Sequence, residues 1–102
     1  MTRRMKLEQM LEKSPQDTFL NFGLAMELAK QGLIEEALTQ FDRVLQIDPT
    51  YLTTYFQKDS TLVNAGRVSD ARTALTAGIA AARNLGDSHT ESEMQAMLDT
   101  LG

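Results

Sequence analysis

The chain matches itself at a spacing of 34 residues. Pro15 recurs as Pro49, Leu28 as Leu62, Gly32 as Gly66 and Ala37 as Ala71. Leu7, Phe41 and Leu75 form a three-member series at the same step, as do Leu11, Leu45 and Ile79. A fixed period of this length marks a chain built from stacked copies of one small unit. Such a unit cannot hide its apolar face alone, so neighbouring copies must cover it. The repeat also moves the question of function from catalysis toward surface recognition.

Apolar periodicity predicts six helices and no strand. The first covers residues 3 to 13, with Leu7, Met10 and Leu11 on one face and Met5 nearby. Ser14-Pro15 stops it, because proline disfavours helix at the preceding residue and lacks an amide donor. The second covers 17 to 31 through Leu20, Leu24, Ala25 and Leu28, and Gly32 ends it as a left-handed cap. The third runs from 34 to 47 on Ala37, Leu38, Phe41, Val44, Leu45 and Ile47, and Asp48-Pro49 closes it. Glu35 and Glu36 sit in its first turn, at the positive end of the helix dipole.

The fourth helix spans 51 to 64 and ends at Gly66. The fifth runs long, from 68 to 85, because Arg83 stands where the period would place a proline. The sixth covers 89 to 101, with Met94, Met97, Leu98 and Leu101 at helical steps. Ser88-His89-Thr90-Glu91 fits a capping box, with Ser88 as the cap. Short glycine or proline links force consecutive helices to lie antiparallel.

The unit at residues 18 to 51 resembles a tetratricopeptide repeat (TPR). Leu24, Ala25, Leu28, Gly32, Ala37, Phe41, Leu45, Asp48 and Pro49 carry the match. The unit at 52 to 85 matches less fully, through Tyr55, Leu62, Gly66, Ala71, Leu75, Gly78 and Ile79. Residues 1 to 16 look like the second half of a truncated unit, and 88 to 102 are similar to the helix that closes such arrays. The resemblance implies an all-α, right-handed superhelix of hairpins: two full repeats, an N-terminal half-repeat and a C-terminal capping helix in one domain, 1 to 102. The second unit departs from the pattern at Lys58 and Asp59, where the family has a large apolar residue and then a small one. A charge between helices is costly unless paired. Lys58 is therefore expected to snorkel, and Asp59 to reach the interface rim and a basic or hydroxyl partner. The sharper reading is that this end of the chain is adapted to a partner or to self-contact.

Composition narrows the function classes. A net charge of -4 argues against nucleic acid, whose binding needs clustered Lys and Arg. The absence of cysteine excludes a disulfide scaffold, a thiol nucleophile and a Cys-ligated zinc. No run approaches 18 apolar residues and the basic start lacks a signal-like apolar stretch, so a cytoplasmic protein without a membrane segment is expected. Opening on Met1 and closing in helical pattern, the chain is expected to be a whole small protein, with an excised domain as the alternative. Arg3, Arg4 and Lys6 read as a frayed, solvated terminus. His89 is the only histidine and reads as an exposed first-turn residue. It lacks a nucleophile elbow beside it, and Asp87, Glu91 and Glu93 make a poor metal set with it. Phosphate-cradling glycine loops and calcium loops are missing. No enzyme, metal or cofactor is expected.

The resemblance places the first helix of each hairpin on a concave wall. Phe22 and Phe56 would stand side by side there, with Phe19 and Met26 one turn from Phe22. Lys30, Gln57, Ser60, Val63 and Asn64 would continue the surface. Aromatic and Met side chains anchor partners through large, adaptable apolar contacts. Alternatively, Phe19 packs on the first helix and Met26 is ordinary core. Some relatives grip a partner's terminal carboxylate with Lys, Asn and Arg; here Phe22 and Met26 occupy two of those positions. The expected function is non-catalytic protein or peptide binding through this face. The competing reading is a homodimer formed through Met94, Met97, Leu98 and Leu101 or through the groove.

Overall fold

The computed structural model describes residues 2–101. Among them there are six helices and no strand: α1 (Arg3–Lys13), α2 (Thr18–Lys30), α3 (Ile34–Ile47), α4 (Thr53–Asn64), α5 (Val68–Asn84) and α6 (Ser88–Thr100). Their packing divides into two compact units, one ending at Pro49 and the other beginning at Thr50. In the first unit α2 packs on α1 and on α3; in the second, α5 packs on α4 and on α6.

Side-chain caps set the starts of α1, α2 and α6. Thr2 caps α1 by accepting the Met5 amide at 3.1 Å, and Asp17 caps α2 by accepting the Leu20 amide at 2.8 Å. The start of α6 differs from the expected capping box. Asp87, not Ser88, is the cap, accepting the Thr90 amide at 3.0 Å and the Thr90 hydroxyl at 2.7 Å. A carboxylate that takes both donors outcompetes the neighbouring hydroxyl, and these bonds, the backbone one first, hold the Asp87 pKa below the usual carboxylate range. Glu91 turns instead to Arg83, which donates at 2.9 and 2.8 Å.

Gly32, Gly66 and Gly86 adopt φ values of 79°, 76° and 73°. At the first, the Leu33 amide reaches the Leu28 carbonyl and the Gly32 amide reaches Ala29, both at 3.0 Å. This paired closure recurs at Gly66 and Gly86. It is the Schellman termination, which needs a left-handed residue and so favours glycine.

The first unit's core is Ala25, Leu28, Ala37 and Phe41, with Phe22 tilted against Phe41 at a ring separation of 6.2 Å. A buried polar knot fixes the α1–α2 turn to α3. Asn21 donates to the carbonyls of Pro15 (3.0 Å) and Asp17 (2.8 Å) and accepts from Gln40 at 2.7 Å. Arg43 adds a bond to the Pro15 carbonyl at 3.2 Å. Arg3 is exposed and pairs with Glu27 of α2, and Arg4 reaches Glu8, Glu36 and Gln31, so side chains of α1 are tied to the neighbouring helices.

The second unit's core is Leu75, Ile79 and Met94, covered by Leu52, Tyr55, Phe56, Met97, Leu98 and Leu101. Gly78 makes this packing possible. A β-carbon there would lie 2.7 Å from Met94 Sδ and 3.0 Å from Tyr55 Cγ. The first unit has Val44 at the equivalent place, so the glycine is the local adaptation that admits α6.

Candidate partner-binding faces

Helix α2 carries four of the sequence-predicted site residues. Phe19 is 68% exposed and lines a shallow cleft with Met10 of α1 and Leu20. Exposed Lys13 and Asp17 border that cleft, which has a volume of about 410 Å³. Phe22 and Met26 are half-buried and pack against the unit's core, each keeping part of its surface in solvent. Lys30 is exposed in the last turn. The helix register explains the division: Ala25 and Leu28 point inward, while Phe19 lies off that face.

Helix α4 carries the other five. Phe56 is half-buried against Leu75, Ile79 and Met94, and Gln57 is half-buried beside it in the chain. Ser60, Val63 and Asn64 are exposed and lie together along a cleft of about 260 Å³, whose far wall is Met97, Thr100 and Leu101 of α6. Phe22 and Phe56 thus hold equivalent places within their own units.

Asp59 also lines this cleft, and sequence reasoning placed it wrongly. It does not reach a rim or a partner. It is 3% exposed, its Oδ1 lacks a hydrogen bond among the described residues, and burial pushes its carboxyl above the ordinary carboxylate value. Thr54 Oγ1 is likewise buried and without a hydrogen bond among the described residues. The signal was present, since Asp59 falls 34 residues after the fully buried Ala25. Lys58 does interact within the structure, and it is half-buried.

The remaining polar residues show surface chemistry. His89 is exposed and pairs with Glu93 one turn on. Among the described residues, no three His, Asp or Glu side chains converge on a common metal position. Nor is any helix among them long and apolar enough to cross a membrane.

The chain is 33% identical over 95 residues to a TPR repeat-containing protein of Pseudomonas aeruginosa, a match covering 93% of this chain and 90% of that protein. The chain belongs to the tetratricopeptide-repeat family. Solved structures share the fold. A Bordetella parapertussis protein is 31% identical and superposes with a TM-score of 0.82, covering 99% of this chain and 88% of its own. A TPR domain protein of Salinibacter ruber is 30% identical with a TM-score of 0.75, covering 85% of this chain and 88% of its own. No protein-family profile matches the sequence. At 17% identity, PcrH bound to the chaperone-binding region of PopD, and the TPR2B–pHsp70 complex of yeast Sti1, share the fold, each with a TM-score of 0.81 over 96% of this chain. The all-α TPR fold expected from the repeat is the fold observed.

Proposed function

We propose that this TPR protein is a non-catalytic binding module that holds a protein or peptide on the first helix of each hairpin. On α2 the contact residues are Phe19, Phe22, Met26 and Lys30; on α4 they are Phe56, Gln57, Ser60, Val63 and Asn64. The observation that carries the reading is Phe19. A phenyl ring 68% exposed to water contributes little to its own fold, and burying it against a partner recovers the hydrophobic free energy its own core does not. The two distant structural neighbours solved with a partner chain support a binding role for the fold.

Self-association through α6 is the weaker reading. Met94 is fully buried, and Met97, Leu98 and Leu101 pack on Leu75 and Ile79 of the same unit. That apolar stripe is engaged within its own unit. Light scattering across a dilution series is expected to show no dimer that depends on α6.

Capture on the immobilised protein from an extract of its source cells tests the binding role. Proteins held by the parent are expected to be lost on Phe19→Ala and weakened on Phe22→Ala and Phe56→Ala. If all three variants retain the same proteins in the same amounts, the faces are assigned wrongly.

A further inference from the structure

The second unit contains a carboxylate that its fold does not need. Asp59 sits where the first unit has Ala25, a side chain with no exposed surface. The helix packing there asks for a small apolar group. Asp59 instead brings a carboxylate to a place 97% shielded from water, and its Oδ1 has no hydrogen bond among the described residues. Such a group is expensive in an isolated domain. The arginines of this unit are committed elsewhere: Arg67 to Asp70, Arg72 to the Leu101 carbonyl and Arg83 to Glu91.

The surroundings fit one kind of visitor. Asp59 lines the cleft between α4 and α6, whose volume is about 260 Å³. That is below the ~300–1,000 Å³ of pockets for whole drug-sized ligands, and it suits a single side chain. Val63, Met97 and Leu101 give apolar walls for an aliphatic stem, and Ser60, Asn64 and Thr100 add polar groups around them. A cleft that combines apolar walls with a carboxylate in its lining is the complement of lysine or arginine, whose methylene stem packs while its head carries the cation.

We propose that the α4–α6 cleft receives a basic side chain of the bound peptide, with the Asp59 carboxylate accepting hydrogen bonds from its ammonium or guanidinium group. This rests on the binding role proposed above and adds the chemistry of the partner: a positive residue flanked by apolar ones. Lysine and arginine are alternatives within one class, because both supply a cation at the end of an apolar stem.

Nuclear magnetic resonance with defined peptides tests it. The probes are the acetylated, amidated pentapeptide Gly-Leu-Lys-Leu-Gly and its counterparts carrying norleucine or glutamate in place of lysine. The lysine peptide is expected to shift the amide signals of Asp59, Val63 and Leu101 and to bind about tenfold or more tighter than the norleucine peptide, the scale of one charge-assisted hydrogen bond. In Asp59→Asn, with its amide spectrum otherwise that of the folded parent, the preference for lysine should vanish. Equal binding of the lysine and norleucine peptides, no shifts with either, or a lysine preference that survives in Asp59→Asn would each overturn the proposal. Loss of captured proteins on Phe19→Ala is read separately, so the cleft can fail while the binding faces stand.

Discussion

At the scale of single residues, the chain shows where packing and function pull apart. Asp59→Ala restores the small side chain that the first unit uses at this place. It is expected to raise stability at pH 7 by about 1 kcal/mol or more, since it removes a buried carboxylate whose Oδ1 has no hydrogen bond among the described residues. The pH dependence has a definite sign. Burial raises the folded-state pKa of Asp59 above its unfolded value of 3.8. The native state therefore takes up the proton first, and the penalty is largest above the folded pKa. It shrinks as pH falls through that value and no longer changes below the unfolded one. Urea denaturation of parent and variant should show a gap that narrows from pH 7 toward pH 4; a gap independent of pH would contradict the reading. Gly78 is the opposite case, a residue fixed by packing alone. Gly78→Ala gains helix propensity but drives a methyl into Tyr55 and Met94, and overpacking of that kind costs ~1–3 kcal/mol. Thermal melting should show a net loss of stability.

At the scale of elements, the helices are set by their ends and by one polar knot. The glycines at 32, 66 and 86 share one left-handed termination. Replacing Gly66 by Ala forces a β-carbon into that conformation and is expected to cost about 1 kcal/mol, read as a lower denaturation midpoint with an unchanged slope. Asn21 is the larger contributor. Its side chain bonds the carbonyls of Pro15 and Asp17 and receives Gln40, so Asn21→Ala removes these three hydrogen bonds and empties a buried place between the α1–α2 turn and α3. A loss of about 1–3 kcal/mol is expected in the same assay. These ends explain what could be read in advance. Glycine and proline act locally, so Gly32, Gly66, Pro15 and Pro49 announced the hairpins from sequence. The cap of α6 was misassigned because Asp87 and Ser88 are both good caps, and only the geometry shows which one faces the Thr90 amide. Asn21 and Gln40 went unremarked because a polar pair 19 residues apart has no periodic signature.

At the scale of the whole molecule, the 34-residue period pointed to stacked helical units, and the resemblance carried by Leu24, Ala25, Gly32, Ala37, Phe41 and Pro49 supplied the TPR fold. Surface character was harder to read. Periodicity separates inward from outward faces, but it does not say how much of Phe22 or Phe56 the core takes up. Both proved half-buried, whereas Phe19 proved open. This makes Phe19→Ala the cleanest functional variant: an exposed side chain is expected to change stability by no more than about 0.5 kcal/mol while removing a binding anchor. The most direct measurement is a map of a captured partner on the chain, by side-chain and amide resonance shifts during titration. Shifts concentrated on Phe19, Met26, Phe56 and Val63, with Asp42 on α3 and Thr76 on α5 undisturbed, are the expected result. Shifts concentrated on α3 and α5, with Phe19 and Phe56 unmoved, would contradict it.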